Sequence, residues 1–378
     1  MRPIRVGVIC DLREEEWHSM DLIADMLIDM LPSVAGGDLH ATRLCPPMVR
    51  RLTGLPLAGA SGRASLGDRL INRLCDYPRW LAPHVPEFDV FHVVDQSYAH
   101  LVRVLPADRT IVTCHDLDAV QAALPKSRMR LGPARMLAAH ILDGVGRAAH
   151  VACVTHATKA ELIATGRVET NRISVVYEGV HPSCSPPQGG RDAESSAGAP
   201  EILHVGSTIP RKRIDRLLEI FAGVRQQNLD ARLIRVGGKM GTEHRALARR
   251  LNVLDAIVEM PFLERDDLAS LYRRASIVVL PSDREGFGLP IVEAMACGTP
   301  VVASAIPSLE EIGGDAATYC APGNTPDWIS TISRLLRERR TEPLQWQGRR
   351  EKGLAAARRF NWTTYAADMT TLYKGLAA

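Results

Sequence analysis

Ten short runs of continuous apolar or β-branched residues constrain this chain more than any other feature. Five lie in the first half: IRVGVIC (4–10), FDVFHVV (88–94), TIVTCHD (110–116), HVACVT (150–155) and ISVVYEG (173–179). Strands buried on both faces read this way. Helical patterns lie between them, over 19–31, about 133–149 and 159–165. Strand, helix and strand in repetition specify a parallel sheet with right-handed crossovers. The segment 183–200 is rich in Pro, Gly and Ser, has no periodicity, and reads as a linker or long surface loop. Five more runs follow: EILHVGS (201–207), ARLIRVGG (231–238), AIVEMPF (256–262), SIVVLPS (276–282) and PVVAS (300–304). Helical patterns cover 214–226, 243–251, 265–274, 290–296 and 327–339.

This grammar predicts two α/β domains. The expected boundaries are 1–182 for the first Rossmann-like domain, 183–200 for the connection and 201–358 for the second domain. A C-terminal helix is expected over 359–378. Its Phe360, Trp362, Tyr365, Met369, Leu372 and Tyr373 approximate one apolar face. So much aromatic surface needs a partner, and the first domain is the expected one. A length of 378 residues with 46% hydrophobic content supplies material for two cores. A formal charge of +3 is too small to argue for nucleic acid. The 8 cysteines are scattered, without C-x-x-C pairs, so neither a disulfide framework nor a metal site is indicated. No signal peptide or bilayer-length apolar run is visible, and a reduced cytoplasmic compartment is expected.

The densest chemistry lies in DREGFGLPIVEAMACGTPVVAS, 283–304. The loop follows a predicted strand end, and Pro290 suits the first position of a helix. Gly286 and Gly288 let backbone approach a ligand closely. The amides of Phe287, Gly288 and Leu289 suit an anion, above all a diphosphate. Glu293, expected in the first helical turn, suits the hydroxyls of a ribose. Glu285, across the turn, suits a second polyol. Taken singly, either glutamate reads as a solvated charge or a dipole-stabilising carboxylate. Together they outline a nucleotide sugar.

The stretch EGFGLPIVEAMACGTPVVAS resembles the signature of the family-4 retaining glycosyltransferases. The resemblance implies the GT-B fold, two facing Rossmann-like domains with parallel sheets and an interdomain cleft. It implies that Glu285 contacts the transferred sugar, that Glu293 binds the ribose, and that the amides of 287–289 hold diphosphate and sugar hydroxyls. In HVGSTIPRKRIDRLLEIF, Lys212 falls on the lysine of the family's G-R-x-x-x-x-K segment. Ser207 stands where the family has arginine, and Arg211 is the candidate substitute charge. Arg211, Lys212 and Arg213 also read, in isolation, as a solvated basic turn.

His115, just past the strand 110–114, reads alone as a structural loop histidine. The resemblance makes it a residue near the donor sugar. Asp116 and Asp118 form a D-x-D pattern too common by chance to indicate a metal, and no metal or cofactor is expected. The first loop, CDLREEEWHSMDL, carries Glu14, Glu15 and Glu16, which repel phosphate, where the family commonly has glycines. Ser19 is expected to cap a helix beginning at Met20, and Trp17 is either an acceptor platform or packing. The stretch 126–137 is basic with interleaved apolar residues, and reads as a peripheral membrane contact or a solvated loop.

The expected function is a metal-independent transfer of a hexose from a nucleoside-diphosphate sugar to a hydroxyl of a glycan, lipid-linked glycan or small molecule. The segment HDL (115–117) resembles mannosyltransferases of the family and favours GDP-mannose. A UDP-sugar donor and a catalytically silent sugar-nucleotide or glycan binder are the alternatives.

Overall fold

The computed structural model describes residues 2–54, 62–118, 120, 133–187 and 198–377. The chain divides into two compact units, Met1–Gly179 with Trp362–Ala378, and Val180–Asn361. Most of the basic stretch 126–137 and the middle of the 183–200 connection lie outside the described residues.

The first unit is built on β1 (Ile4–Ile9), β2 (Leu39–Leu44), β3 (Val90–Val93), β4 (Thr110–Cys114), β5 (His150–Cys153) and β6 (Ile173–Val175). All pair in parallel, in the order β2-β1-β3-β4-β5-β6. The helices are α1 (His18–Ala35), α2 (Gly62–Ile71), α3 (Tyr77–Leu81), α4 (Pro133–Arg147) and α5 (His156–Ala164). The strands expected from apolar runs are present. β2 is an addition, because LHATRL alternates buried and exposed residues as an edge strand does. Leu22, Ile23, Met26, Leu27 and Leu31 give α1 its buried stripe. The helix ends at Gly36, whose φ of +58° is left-handed backbone that glycine adopts without strain.

The second unit repeats the plan with β7 (Glu201–Val205), β8 (Arg232–Val236), β9 (Ile257–Met260), β10 (Ile277–Leu280), β11 (Val301–Ser304) and β12 (Thr318–Cys320). Its order is β12-β11-β10-β7-β8-β9, again all parallel. Helices α6 (Ile214–Gln227), α7 (Thr242–Arg250), α8 (Arg265–Arg274), α9 (Leu289–Ala296), α10 (Pro307–Gly313), α11 (Thr325–Thr341) and α12 (Pro343–Ala357) cover it. On one side of the sheet, Leu217, Phe221, Leu233, Val279, Trp328 and Leu335 belong to one buried cluster.

The last helix, α13 (Trp362–Ala377), belongs to the first unit and packs on α1. It buries Trp362, Tyr365, Met369 and Tyr373. The Tyr373 hydroxyl shares a 2.7 Å hydrogen bond with His92 Nδ1 of β3. Phe360 precedes the helix and belongs to the second unit, where it meets Phe287 edge-on at 5.5 Å. The helical face read over 359–378 therefore loses its first aromatic residue to the other unit.

Candidate active site

Strand order fixes where a site can form in the second unit. From β7 the chain moves to β8 and β9 on one side, then returns to lay β10 on the other side of β7. The loops leaving the carboxyl ends of β7 and β10 therefore diverge, and open α/β sheets bind ligands at such switch points. Here the β7 loop brings Arg211 and Lys212, in a short 3-10 turn over Pro210–Lys212. The β10 loop brings Glu285. The Asp283 amide donates to the Arg211 carbonyl at 2.8 Å, joining the two loops.

Glu285 is clasped from three directions. Lys212 Nζ donates to Oε1 at 2.6 Å, Arg211 Nη1 to Oε2 at 2.9 Å, and Ser282 Oγ to Oε1 at 2.7 Å. Its backbone carbonyl accepts from Ser308 Oγ at 2.7 Å. The Glu285 side chain is 6% exposed. Burial alone would raise its pKa, but Lys212 and Arg211 outweigh burial and hold it at about 2. The group is a fixed carboxylate, able to accept hydrogen bonds and unable to serve as a proton donor near neutrality.

Beyond it, Gly288 takes φ +87° as the residue before α9. A side chain there would be strained and would meet Leu309. Among the described residues, the amides of Gly288 and Leu289 meet no protein acceptor. Gly286 and Phe287 complete this turn, with Phe287 buried. Glu293 lies in the second turn of α9, not the first as the sequence suggested, because the helix begins at Leu289. It is 3% exposed, accepts from the Tyr272 hydroxyl at 2.7 Å, and has Arg265 at 3.9 Å.

The β7 loop comes close to the β8 loop. A Cβ at Gly237 would run into the carbonyl of Gly206, which accepts from buried Arg235 Nη2 at 3.2 Å. Arg235 Nη1 also donates to the Gly238 carbonyl. Ser207 follows Gly206 in this half-buried loop. His204 is fully buried beside Lys212, and burial with the nearby Arg235 and Lys212 lowers its pKa to about 3. It stays neutral and adds no charge to the loop.

In the first unit, His115 sits at the end of β4 and is 8% exposed. Both ring nitrogens are engaged: Nδ1 with Glu178 Oε1 at 2.8 Å, and Nε2 with the Val94 carbonyl at 2.7 Å. Burial opposes the charged ring, but Glu178 and Asp95 overcome it and raise the pKa to about 9. His115 is an imidazolium that ties β3, β4 and the segment after β6 together.

The switch point of this unit lies between β1 and β3. Asp11 and Asp95 stand there, both buried. Burial and then Asp95 push the Asp11 carboxyl well above the usual carboxylate range. Ser19 is inside α1, which begins at His18, so it does not cap that helix. Trp17 precedes the helix and is 46% exposed. The structure thus groups Arg211, Lys212, Glu285 and the turn 286–289 in one unit, and His115, Trp17 and Ser19 in the other.

Sequence reasoning missed Ser282, Ser308, Tyr272, Arg235 and Glu178. Single serines and a lone tyrosine carry no spacing signal, and an arginine inside an apolar strand reads as an exception. Among the described residues, no helix is long and apolar enough to cross a membrane.

Comparison with known proteins adds to this geometry. A family model described as glycosyl transferases group 1 matches residues 191–351, and one described as glycosyltransferase family 4 matches residues 38–183. The D-inositol 3-phosphate glycosyltransferase of Mycolicibacterium smegmatis is 32% identical over 309 residues, spanning 76% of this chain and 69% of that protein. The D-inositol 3-phosphate glycosyltransferase 2 of Catenulispora acidiphila is 32% identical over 230 residues, 57% of this chain and 53% of that protein. Among solved structures, sucrose-phosphate synthase from Thermosynechococcus elongatus superposes with a TM-score of 0.74, at 21% identity and 99% coverage of both chains.

Proposed function

The chain belongs to the group 1 glycosyl transferases of GT-B fold, and on that premise we propose that it moves a hexose from a nucleoside-diphosphate sugar to an acceptor hydroxyl with retention. One observation carries this reading: a buried carboxylate clasped by Lys212 and Arg211 at the switch point, next to unpaired amides at the start of α9. The amides and the two cations receive the diphosphate. Glu285 accepts hydrogen bonds from hydroxyls of the sugar, and Glu293 from those of the ribose. Ser207 lies where backbone approaches the diphosphate closely.

The chemistry is electrostatic. As the bond from the anomeric carbon to the leaving oxygen lengthens, negative charge grows on the diphosphate and positive charge on the sugar. Lys212 and Arg211 stabilise the first without a metal ion, and Glu285 stabilises the second while holding the ring. No side chain here is required to form a covalent intermediate. His115, with both nitrogens occupied, acts by holding its loop.

GDP-mannose is the donor we favour, on the HDL segment at 115–117, with a UDP-sugar as the alternative. For the acceptor, the first-unit switch point favours a hydroxyl-bearing group. The relatives are named for D-inositol 3-phosphate. Here Asp11, Glu15 and Asp95 are buried at or just beyond the ends of β1 and β3, with the Asp11 carboxyl pushed toward its neutral form and Arg73 3.6 Å from Glu15, so the group offers hydrogen-bonding oxygens to hydroxyls. A neutral polyol or glycan hydroxyl suits that chemistry, with Trp17 and Ser19 on the acceptor side.

A thermal-shift panel of GDP, UDP and ADP sugars tests the proposal. A donor at a hundredfold its Kd stabilises by roughly 2.7 kcal/mol. The matching donor raises the melting temperature, and Glu285→Ala abolishes transfer from it. A panel in which no nucleotide shifts the melting point defeats the assignment of the donor site.

A further inference from the structure

The second unit has another charged feature, at the opposite ends of the strands from Glu285. A cavity of about 490 Å³ opens beside the amino ends of β10 and β11. Five arginines line it: Arg273 and Arg274 from the last turn of α8, Arg339 and Arg340 from the last turn of α11, and Arg350 from α12. Among the described residues, no carboxylate lines it.

Ordinary structural duties account for part of this charge. Arg274 pairs with Glu201 at 2.7 Å, and Arg273 donates to the Ser183 carbonyl at 3.1 Å and the Ser270 hydroxyl at 2.9 Å. The carboxyl ends of α8, α9 and α11 also lie nearby, each contributing roughly half a negative charge. Arg340 and Arg350 make no hydrogen bond or ion pair among the described residues. Arg350 is half-buried against Gly298. Burial lowers the pKa of Arg350, and burial with repulsion from Arg350 and Arg340 lowers that of Arg339. A cluster that costs the fold this much repulsion gains most from an anion placed among its members.

We propose that this cavity is a second anion site, taking a compact group with at least two phosphoryl charges. Guanidinium forks match phosphate oxygens two at a time. The volume lies within the usual range of small-molecule pockets. The source is a free polyphosphorylated small molecule or the phosphorylated headgroup of a lipid, since both present the same chemistry. The inference does not depend on the sugar-transfer reading, because the site is at the other end of the sheet.

Titration calorimetry of the full chain with sodium tripolyphosphate tests it. A Lys212→Met background weakens the competing anion site near Glu285. In that background we expect one bound tripolyphosphate, weakened about tenfold or more by Arg340→Gln with Arg350→Gln, a loss of at least ~1.4 kcal/mol. Arg350→Lys keeps the charge but loses the fork. It should give an intermediate affinity, and it serves if the double variant does not fold. Vesicles of phosphatidylcholine with phosphatidic acid, against phosphatidylcholine alone, separate the sources. Cosedimentation lost in the double variant identifies a lipid headgroup, and tripolyphosphate binding without cosedimentation identifies a soluble ligand. Absence of both, or binding that the arginine variants leave unchanged, overturns the proposal.

Discussion

Glu285→Gln separates the two jobs given to the Glu285 clasp. The change keeps the shape of the side chain and removes its charge, leaving Lys212 and Arg211 facing an amide. The gap between the ordinary carboxyl pKa of 4.5 and about 2 in the fold corresponds to roughly 3 kcal/mol of stabilisation. That agrees with the usual cost of about 3–5 kcal/mol for removing one partner of a buried pair. The sign is that of a depressed acid: the stabilisation is complete above pH 4.5 and is lost as pH falls through about 2. The chain folds as two units, so a single global midpoint would mix them. Native-state hydrogen exchange of amides in β7, β10 and α9 reads the second unit alone.

The same substitution has a second, opposite consequence. Lys212 and Arg211, no longer neutralised, should bind a nucleoside diphosphate lacking sugar about three- to tenfold more tightly, a gain of roughly 0.6–1.4 kcal/mol. Sugar transfer should fall by about a hundredfold or more, because the negative charge that stabilises the positive sugar in the transition state is gone. Calorimetry with the nucleoside diphosphate and a transfer assay with its sugar measure the two sides. If diphosphate affinity falls in parallel with transfer, or exchange protection changes by less than ~1 kcal/mol, the electrostatic reasoning about this clasp is wrong.

Lys212→Met should lower diphosphate affinity and transfer together, by about tenfold or more each, as loss of a charge-assisted contact requires; transfer kinetics and calorimetry on one preparation check it. Gly288→Val forces a branched side chain into left-handed backbone against Leu309, so it should destabilise the second unit by roughly 2 kcal/mol or more and abolish donor binding, both read by thermal shift with and without donor. The raised pKa of His115, about 9, means its stabilising charge is fully present below about pH 6.5 and is lost as pH rises through 9; the pH dependence of stability between 7 and 10 should flatten in His115→Ala. Tyr373→Phe removes the buried bond to His92 and should cost the first unit about 1 kcal/mol, measured by exchange of β3 amides.

The two-sheet plan was legible because parallel strands buried on both faces appear as unbroken apolar runs, and each of the ten runs holds a strand. What the runs could not reveal were the edges. β2 alternates, and β12 is only Thr318–Cys320, too short for a pattern. Helices α2 and α12 lack a strong apolar stripe and were missed for the same reason. The C-terminal helix was legible from its aromatics, but the position of Phe360 against Phe287 was not, because periodicity does not say which core a residue enters.

Local chemistry was written in the sequence: a glycine turn into a helix, two glutamates eight positions apart, and a basic turn after another strand. These follow from backbone sterics and charge within a few residues, which the chain order contains. Tertiary structure alone decided that Arg211 and Lys212 would close on Glu285, more than seventy residues away. It also decided that His115 would spend both nitrogens on Glu178 and Val94. Those pairings depend on strand order, and strand order is set by how the whole sheet buries its faces, a property no short stretch carries.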